Sequence, residues 1–194
     1  FVKDKYLDVW HRKNDKKLLR ILVLSMLIGS LNIAFPIKGL ASSYNVTTYT
    51  NLQTRLSAAG TADTVILTAD INGTTQLDIY GTKTLDLNGR NLTINISTVE
   101  NCIKIHTGAT LIIKDSVPQE NKLIAANRND FWGDSAGINS SEGTLFIESG
   151  NIEVKGGSYS AGIGGSFSDA RGSGNITING GYIEAEGGYN SAGI

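Results

Sequence analysis

Short segments in which apolar and polar residues alternate recur at close, regular intervals through the middle of the chain. A period of two residues is that of a β-strand with one buried face. The intervals leave no room for the crossover helices of an α/β fold, so we expect an all-β protein; a sandwich of antiparallel strands is the alternative architecture. The predicted strands in this region are Val65–Leu67, Leu77–Ile79, Leu85–Leu87, Leu92–Ile96, Ile103–Ile105, Leu111–Ile113 and Lys122–Ile124.

The four-residue sequence Ser-Ala-Gly-Ile occurs three times in the C-terminal part of the chain, at Ser135–Ile138, Ser160–Ile163 and Ser191–Ile194. The second interval between copies is longer than the first by six positions. The residues between the copies also align when they are offset by the longer of the two intervals. This offset pairs Leu145–Ile147 with Ile176–Ile178 and Ile152–Val154 with Ile183–Ala185. The extra positions therefore enter once, between Ile163 and Gly174, and predict an inserted loop.

One repeat unit holds three short strands and cannot bury its apolar side by itself. It has to stack on its neighbours, which makes a solenoid. Three strands per unit predict a right-handed, single-stranded parallel β-helix, because crossover connections between parallel strands are nearly always right-handed. We expect the corners to need positive φ at glycines; these are Gly150, Gly156, Gly157, Gly181, Gly187 and Gly188.

Two segments do not follow the strand pattern. Residues 50–59 carry Leu52, Leu56 and Ala59 at helical spacing, with Thr50 placed as the N-cap and Gly60 beyond the end. We expect this helix to cover the N-terminal opening of the solenoid; an ordinary surface helix is the alternative. Residues 125–134 break the strand pattern and predict a protruding loop.

Residues 1–41 have the form of a secretory signal. Residues 11–20 are basic, residues 21–35 are mainly apolar, and Gly39 and Ala41 are small. We predict cleavage between Ala41 and Ser42, and hence a secreted or cell-surface protein with no membrane contact after cleavage; an uncleaved membrane helix is the alternative. The domains are then 1–41, a signal peptide with an N-terminal extension, and 42–194, a β-helix with its cap at 42–63. Because Phe1 is not an initiator and the third repeat stops at Ile194, we expect a fragment.

Three segments carry a family resemblance: Thr84–Gly89, Ala109–Ser116 and Gly157–Gly165. Together they resemble the pectin-lyase-like right-handed β-helices of secreted bacterial surface proteins, over about residues 60–194. The resemblance implies a carbohydrate-binding or adhesive role. Because the segments consist of corner glycines and core aliphatics, they point to architecture more than to activity.

Charge and composition exclude several function classes. Residues 42–194 contain nine Lys and Arg against fifteen Asp and Glu, a net charge of about −6, so we expect no nucleic-acid partner. The single cysteine, Cys102, excludes an internal disulfide and is expected to be a buried thiol.

Catalytic chemistry has few candidates. Asp78, Asp86 and Asp115 would have to converge beside a basic residue to act on an acidic polysaccharide, and we expect them instead to be solvated or to hydrogen-bond at corners. His106 lacks a nucleophile motif for triad chemistry. We therefore predict no catalytic residues.

We also predict no metal and no cofactor. Glu153 and Glu184 should stack on successive coils, as should Lys155 and Glu186. Stacked carboxylates can hold Ca²⁺, but exposed glutamates in water repel only mildly. The stretch Gly162–Gly165 resembles neither a P-loop nor a dinucleotide fingerprint.

Aromatic side chains are the better candidates for a binding site, because sugar rings pack on exposed aromatic planes. The candidate ligand-binding residues are Phe131, Trp132, Phe146, Tyr159, Tyr182 and Tyr189. Scattered exposed aromatics are also normal on protein surfaces. We expect an exported, non-enzymatic surface module for a glycan or cell-surface polysaccharide. A polysaccharide lyase or glycoside hydrolase and a structural stalk are the alternatives.

Overall fold

The computed structural model describes residues 41–60, 62–117, 121–129, 135–169 and 172–194. The predicted signal segment, apart from Ala41, lies outside these residues, as do Phe131 and Trp132. The described chain contains one helix, α1 (Tyr49–Ser57), and fifteen strands. The strands are β1 (Ser43–Val46), β2 (Ala62–Leu67), β3 (Ile71–Gly73), β4 (Leu77–Ile79), β5 (Thr82–Asp86), β6 (Leu92–Ile96), β7 (Ile103–Ile105), β8 (Thr110–Lys114), β9 (Lys122–Asn127), β10 (Ile138–Asn139), β11 (Thr144–Ile147), β12 (Asn151–Lys155), β13 (Ile163–Gly164), β14 (Asn175–Ile178) and β15 (Tyr182–Glu186).

The strands form three sheets, and every strand pairing in them is parallel. Sheet A has the order β1-β2-β5-β8-β11-β14, sheet B has the order β3-β6-β9-β12-β15, and sheet C has the order β4-β7-β10-β13. From β2 onward the chain visits sheets A, B and C in turn, and each new strand pairs with its predecessor from the previous circuit. This mostly β, all-parallel arrangement is consistent with a parallel β-helix and contradicts the antiparallel sandwich.

The observed register reproduces the alignment of the sequence repeats. Leu145 lies opposite Ile176, Ile152 opposite Ile183, and Ile138 opposite Ile163. Each repeat is therefore one circuit, and the inserted positions lie between β13 and β14.

The core is a set of columns in which inward side chains stack from one circuit to the next. In sheet A, one column consists of Val65, Leu85, Ile113, Ile147 and Ile178. The first four of these are fully buried, and Ile178 in the last circuit is partly exposed. Burying each such side chain contributes about 1.5–3 kcal/mol to folding. Alternation along the strands thus places an aliphatic core between the three sheets.

Helix α1 begins earlier than the sequence analysis predicted. The N-cap is Thr48, which has an extended backbone (φ −133°). Its Oγ1 accepts a hydrogen bond from Asn51 N at 3.3 Å, as an N-cap side chain does. The prediction of Thr50 as the N-cap was therefore wrong. Leu52 and Leu56 are buried, and the helix contacts β4 and β2. Strand β1, which the sequence analysis missed, precedes the helix and pairs with β2. Within the described residues, we find no helix with the length and apolar character needed to cross a membrane.

Two predictions about corners and loops need correction. Gly150 and Gly181 have positive φ, but Gly156, Gly157, Gly187 and Gly188 do not. The reason for glycine at these four is close backbone approach: a Cβ on Gly157 would lie 2.7 Å from Asn129 O. The predicted loop at 125–134 also starts too early, because residues 125–127 complete β9, with Ala125 buried opposite Val154.

Candidate functional site

A groove of about 970 Å³ lies on the outer face of sheet B. Outward side chains of β6, β9, β12 and β15 line it. Residues 127–129, the Gly-Gly corners that follow β12 and β15, and Tyr189 also line it. The groove therefore extends from the outer face of sheet B to the corners at the carboxyl-terminal ends of β12 and β15.

The lining side chains form two columns that cross the strands. One column is Thr93, Ile124, Glu153 and Glu184, and the other is Asn95, Ala126, Lys155 and Glu186. Strand β9 contributes the two apolar members, since its alternation buries Leu123 and Ala125 and turns Ile124 and Ala126 outward. The groove therefore has an apolar strip one strand wide with polar side chains on both sides. Reading the alternation of β9 through to Ala126 would have revealed this strip, but the sequence analysis assigned residues 125–134 to a loop.

The charges near the groove are largely paired. Lys122 Nζ lies 3.0 Å from Glu153 Oε2, and Lys155 Nζ lies 2.9 Å from Glu186 Oε1. The hydrogen bond and the negative charge of Glu153 raise the pKa of the Lys122 amine. The register confirms the predicted stacking of Glu153 on Glu184 and of Lys155 on Glu186. Within the described residues, neither Glu184 nor Arg128 takes part in an ion pair.

Two of the predicted aromatic residues meet at one end of the groove. Tyr189 lines the groove and is 66% exposed, and its ring centroid lies 5.4 Å from that of Tyr159 in an edge-on arrangement. Phe167, which the sequence analysis did not select, also packs edge-on against Tyr159, with the ring centroids 5.9 Å apart. We call these three residues the aromatic corner. Its members come from different turns and from the inserted loop, so no local pattern in the sequence brings them together.

Two other predicted aromatic residues, Tyr182 and Phe146, lie outside the aromatic corner. Tyr182, which is 65% exposed, begins β15 but does not line the groove. Phe146 lies on β11 in sheet A, opposite Ile112 and Thr177. Phe131 and Trp132 fall outside the described residues.

The buried carboxylates Asp86 and Asp115 hold corners of the backbone. Asp86 Oδ1 accepts hydrogen bonds from Asn88 N and Ser116 N, both at 3.0 Å. Asp115 Oδ1 accepts from Gly89 N at 2.8 Å and from Val117 N at 3.1 Å. The bonds from Ser116 and Gly89 link successive circuits, and all four bonds together explain why both carboxylates are buried.

Asp78 lies on sheet C, away from the sheet A corners that Asp86 and Asp115 occupy. Its Oδ1 lies 2.7 Å from His106 Nε2 and accepts from Gln76 Nε2 at 2.8 Å. The His106 ring stacks on Tyr80 with a centroid separation of 4.1 Å. The three aspartates therefore do not share one sheet face, which removes the convergence that the polysaccharide-cleavage alternative required of them.

Comparison of the chain with protein-family models, with curated proteins and with solved structures found no match. Among the described residues, no group of three or more His, Cys, Asp and Glu side chains is placed to hold a metal ion.

Proposed function

We propose that this chain is an exported right-handed parallel β-helix of the cell envelope or extracellular space that binds uncharged carbohydrate in the sheet B groove without catalysis. The three parallel sheets visited in turn support the β-helix, and the basic, apolar and small-residue order of residues 1–41 supports export. The proposal that this β-helix is pectin-lyase-like is supported by the resemblance carried by Thr84–Gly89, Ala109–Ser116 and Gly157–Gly165.

The observation that carries the binding proposal is the apolar strip of the groove. Ile124 and Ala126 on β9 offer a narrow apolar surface. The neighbouring strand β6 offers Thr93 and Asn95 on one side, and β12 offers Glu153 and Lys155 on the other. A pyranose ring has apolar C–H faces and a rim of hydroxyl groups. The strip fits the faces and the flanking side chains fit the hydroxyls, which is the combination that positions a ligand in a groove.

The pattern of charge favours an uncharged glycan. The acidic side chains at the groove, Glu153, Glu184 and Glu186, are balanced in number by Lys122, Lys155 and Arg128, and two ion pairs are formed among them. A polyanion or polycation would have to disrupt these pairs or lose solvation without a net attraction. An uncharged chain leaves them intact and uses their remaining hydrogen-bonding capacity.

The proposal is tested with a glycan array that carries uncharged, amino-sugar and uronic-acid polysaccharides. The parent chain should bind uncharged glycans, and Ala126→Arg, which fills the groove, should abolish that binding. Thr177→Arg is the matched control, because Thr177 is an outward, exposed position on β14 of sheet A. A flat array, combined with turnover of a uronic polysaccharide, would instead support a lyase or hydrolase.

A further inference from the structure

Residues 166–169 of the loop inserted between β13 and β14 are tied to sheet C by a polar network. Asp169 Oδ2 accepts hydrogen bonds from Ser166 N at 2.7 Å, from Ser166 Oγ at 2.7 Å and from Asn139 Nδ2 at 2.8 Å. Asn139, on β10, is only 1% exposed, and Ser166 is also buried. The segment Ser166–Asp169 is therefore fixed against the previous circuit.

This anchored segment holds an apolar ring in solvent. Phe167 directly follows Ser166, its N–H donates to Ser160 Oγ at 3.2 Å, and its side chain is 49% exposed. Edge-on packing against Tyr159 fixes one side of the ring. The hydrogen-bonded residues Ser166 and Asp169 thus hold the half-exposed Phe167 ring where a ligand can contact it.

The backbone of Tyr159 gives a second, independent indication. Tyr159 has φ +59°, in the left-handed region that disfavours bulky residues. The equivalent position in the next circuit is Asn190, with φ +55°, and asparagine tolerates this region well. An aromatic residue thus occupies a strained position that asparagine fills in the next circuit, and strain of this kind is concentrated at binding sites.

The aromatic corner is continuous with the groove. Tyr159 lies between Phe167 and Tyr189, and Tyr189 lines the groove. A chain of sugar units that occupies the groove can therefore continue past Tyr189 onto the corner without leaving a contact surface.

We propose that the aromatic corner is an additional carbohydrate subsite, so that the inserted loop makes the protein selective for long glycan chains. This inference rests on the proposed function, since it extends the same groove. Phe167 and Tyr189 contact sugar units beyond those on the Ile124 and Ala126 strip, and Asp169 and Asn139 are positioning residues that hold Phe167 in place.

The test compares two chain lengths on the same variants. The probes are the disaccharide and the hexasaccharide of β-1,4-linked glucose and of β-1,4-linked N-acetylglucosamine, with affinities measured by isothermal titration calorimetry. Phe167→Ala should weaken hexasaccharide binding about two- to tenfold, the usual contribution of one aromatic contact, and leave disaccharide binding unchanged. Phe167→Trp should restore the hexasaccharide affinity. Tyr182→Ala, which removes an exposed tyrosine that does not line the groove, should change neither.

The outcomes separate this inference from the proposed function. If Ala126→Arg removes hexasaccharide binding but Phe167→Ala does not weaken it, the subsite is refuted and the groove stands. Equal weakening of the disaccharide and the hexasaccharide by Phe167→Ala also refutes chain-length selection. If the parent chain binds none of the four probes and the glycan array is flat, the proposed function fails and the subsite fails with it.

Discussion

Replacing one member of a buried ion pair should strongly destabilise the first circuits of the fold. Lys83 and Asp63 lie opposite each other on β5 and β2, with Nζ 3.0 Å from Oδ2 and side-chain exposures of 0% and 4%. They occupy the inward column of sheet A that continues as Leu111, Leu145 and Ile176. Two charged residues thus replace aliphatic residues in a core column.

The magnitude follows from the burial of both side chains. Lys83→Met leaves the Asp63 carboxylate facing a thioether in the interior, and removing one partner of a buried pair costs about 3–5 kcal/mol. Asp63→Leu removes the carboxylate from the buried Lys83 ammonium in the same way and should lower the free energy of unfolding by a similar amount. The double variant removes both charges and extends the aliphatic column, so its stability should lie within about 1 kcal/mol of the parent or above it.

The assay is urea unfolding of the parent, the two single variants and the double variant, analysed as a double-mutant cycle. Lys104→Met is the control, because Lys104 lies on β7 but is directed outward and only partly buried, and its loss should change the free energy of unfolding by no more than about 0.5 kcal/mol. Additive effects of the two single substitutions, or a Lys83→Met variant as stable as the control, would refute the reasoning.

Three further predictions concern individual residues. Burial raises the pKa of the Cys102 thiol to about 12, so a disulfide exchange reagent at pH 8 should modify it only after unfolding, and rapid labelling of the native protein would contradict its placement. Gly174→Ala should cost more in urea unfolding than Gly108→Ala, since both glycines have positive φ but only at Gly174 would the new Cβ collide with backbone, that of Ser140; equal costs would contradict the packing argument. Burial by itself would raise the pKa of the Asp169 carboxyl, but its hydrogen bonds from Ser166 and Asn139 outweigh burial and lower the pKa. The loop stabilisation from Asp169 is therefore fully present above the unfolded pKa of about 3.9 and is lost as the pH falls through the lower folded value, which hydrogen exchange in the loop should report; loss of protection already near pH 6 would contradict it.

The repeat was the part of the structure most accessible from the sequence. Equivalent positions on successive circuits have the same surroundings, so similar residues recur, and the spacing between the repeats gave the pairing of Ile152 with Ile183 directly. Short elements were harder to predict. Strands β10 and β13 are two residues long, and β1 has no alternation of apolar and polar residues that would distinguish it from a loop.

The candidate site was predictable only in part. Tyr159 and Tyr189 were selected as exposed aromatics, but their contact with Phe167 depends on how the inserted loop folds back onto Asn139. Corner glycines were predicted for positive φ, whereas Gly157 and Gly188 are needed because backbone from a neighbouring segment passes too close for a Cβ.

The sequence by itself determined the strand periodicity, the length of the C-terminal circuits and most of the positions that face inward, because these depend on local alternation and on repetition. The tertiary structure alone decided which outward side chains meet across strands, which charges are buried, and where an apolar strip and three aromatic rings form one continuous surface. These contacts join residues from different circuits, and their geometry depends on how the sheets and loops pack.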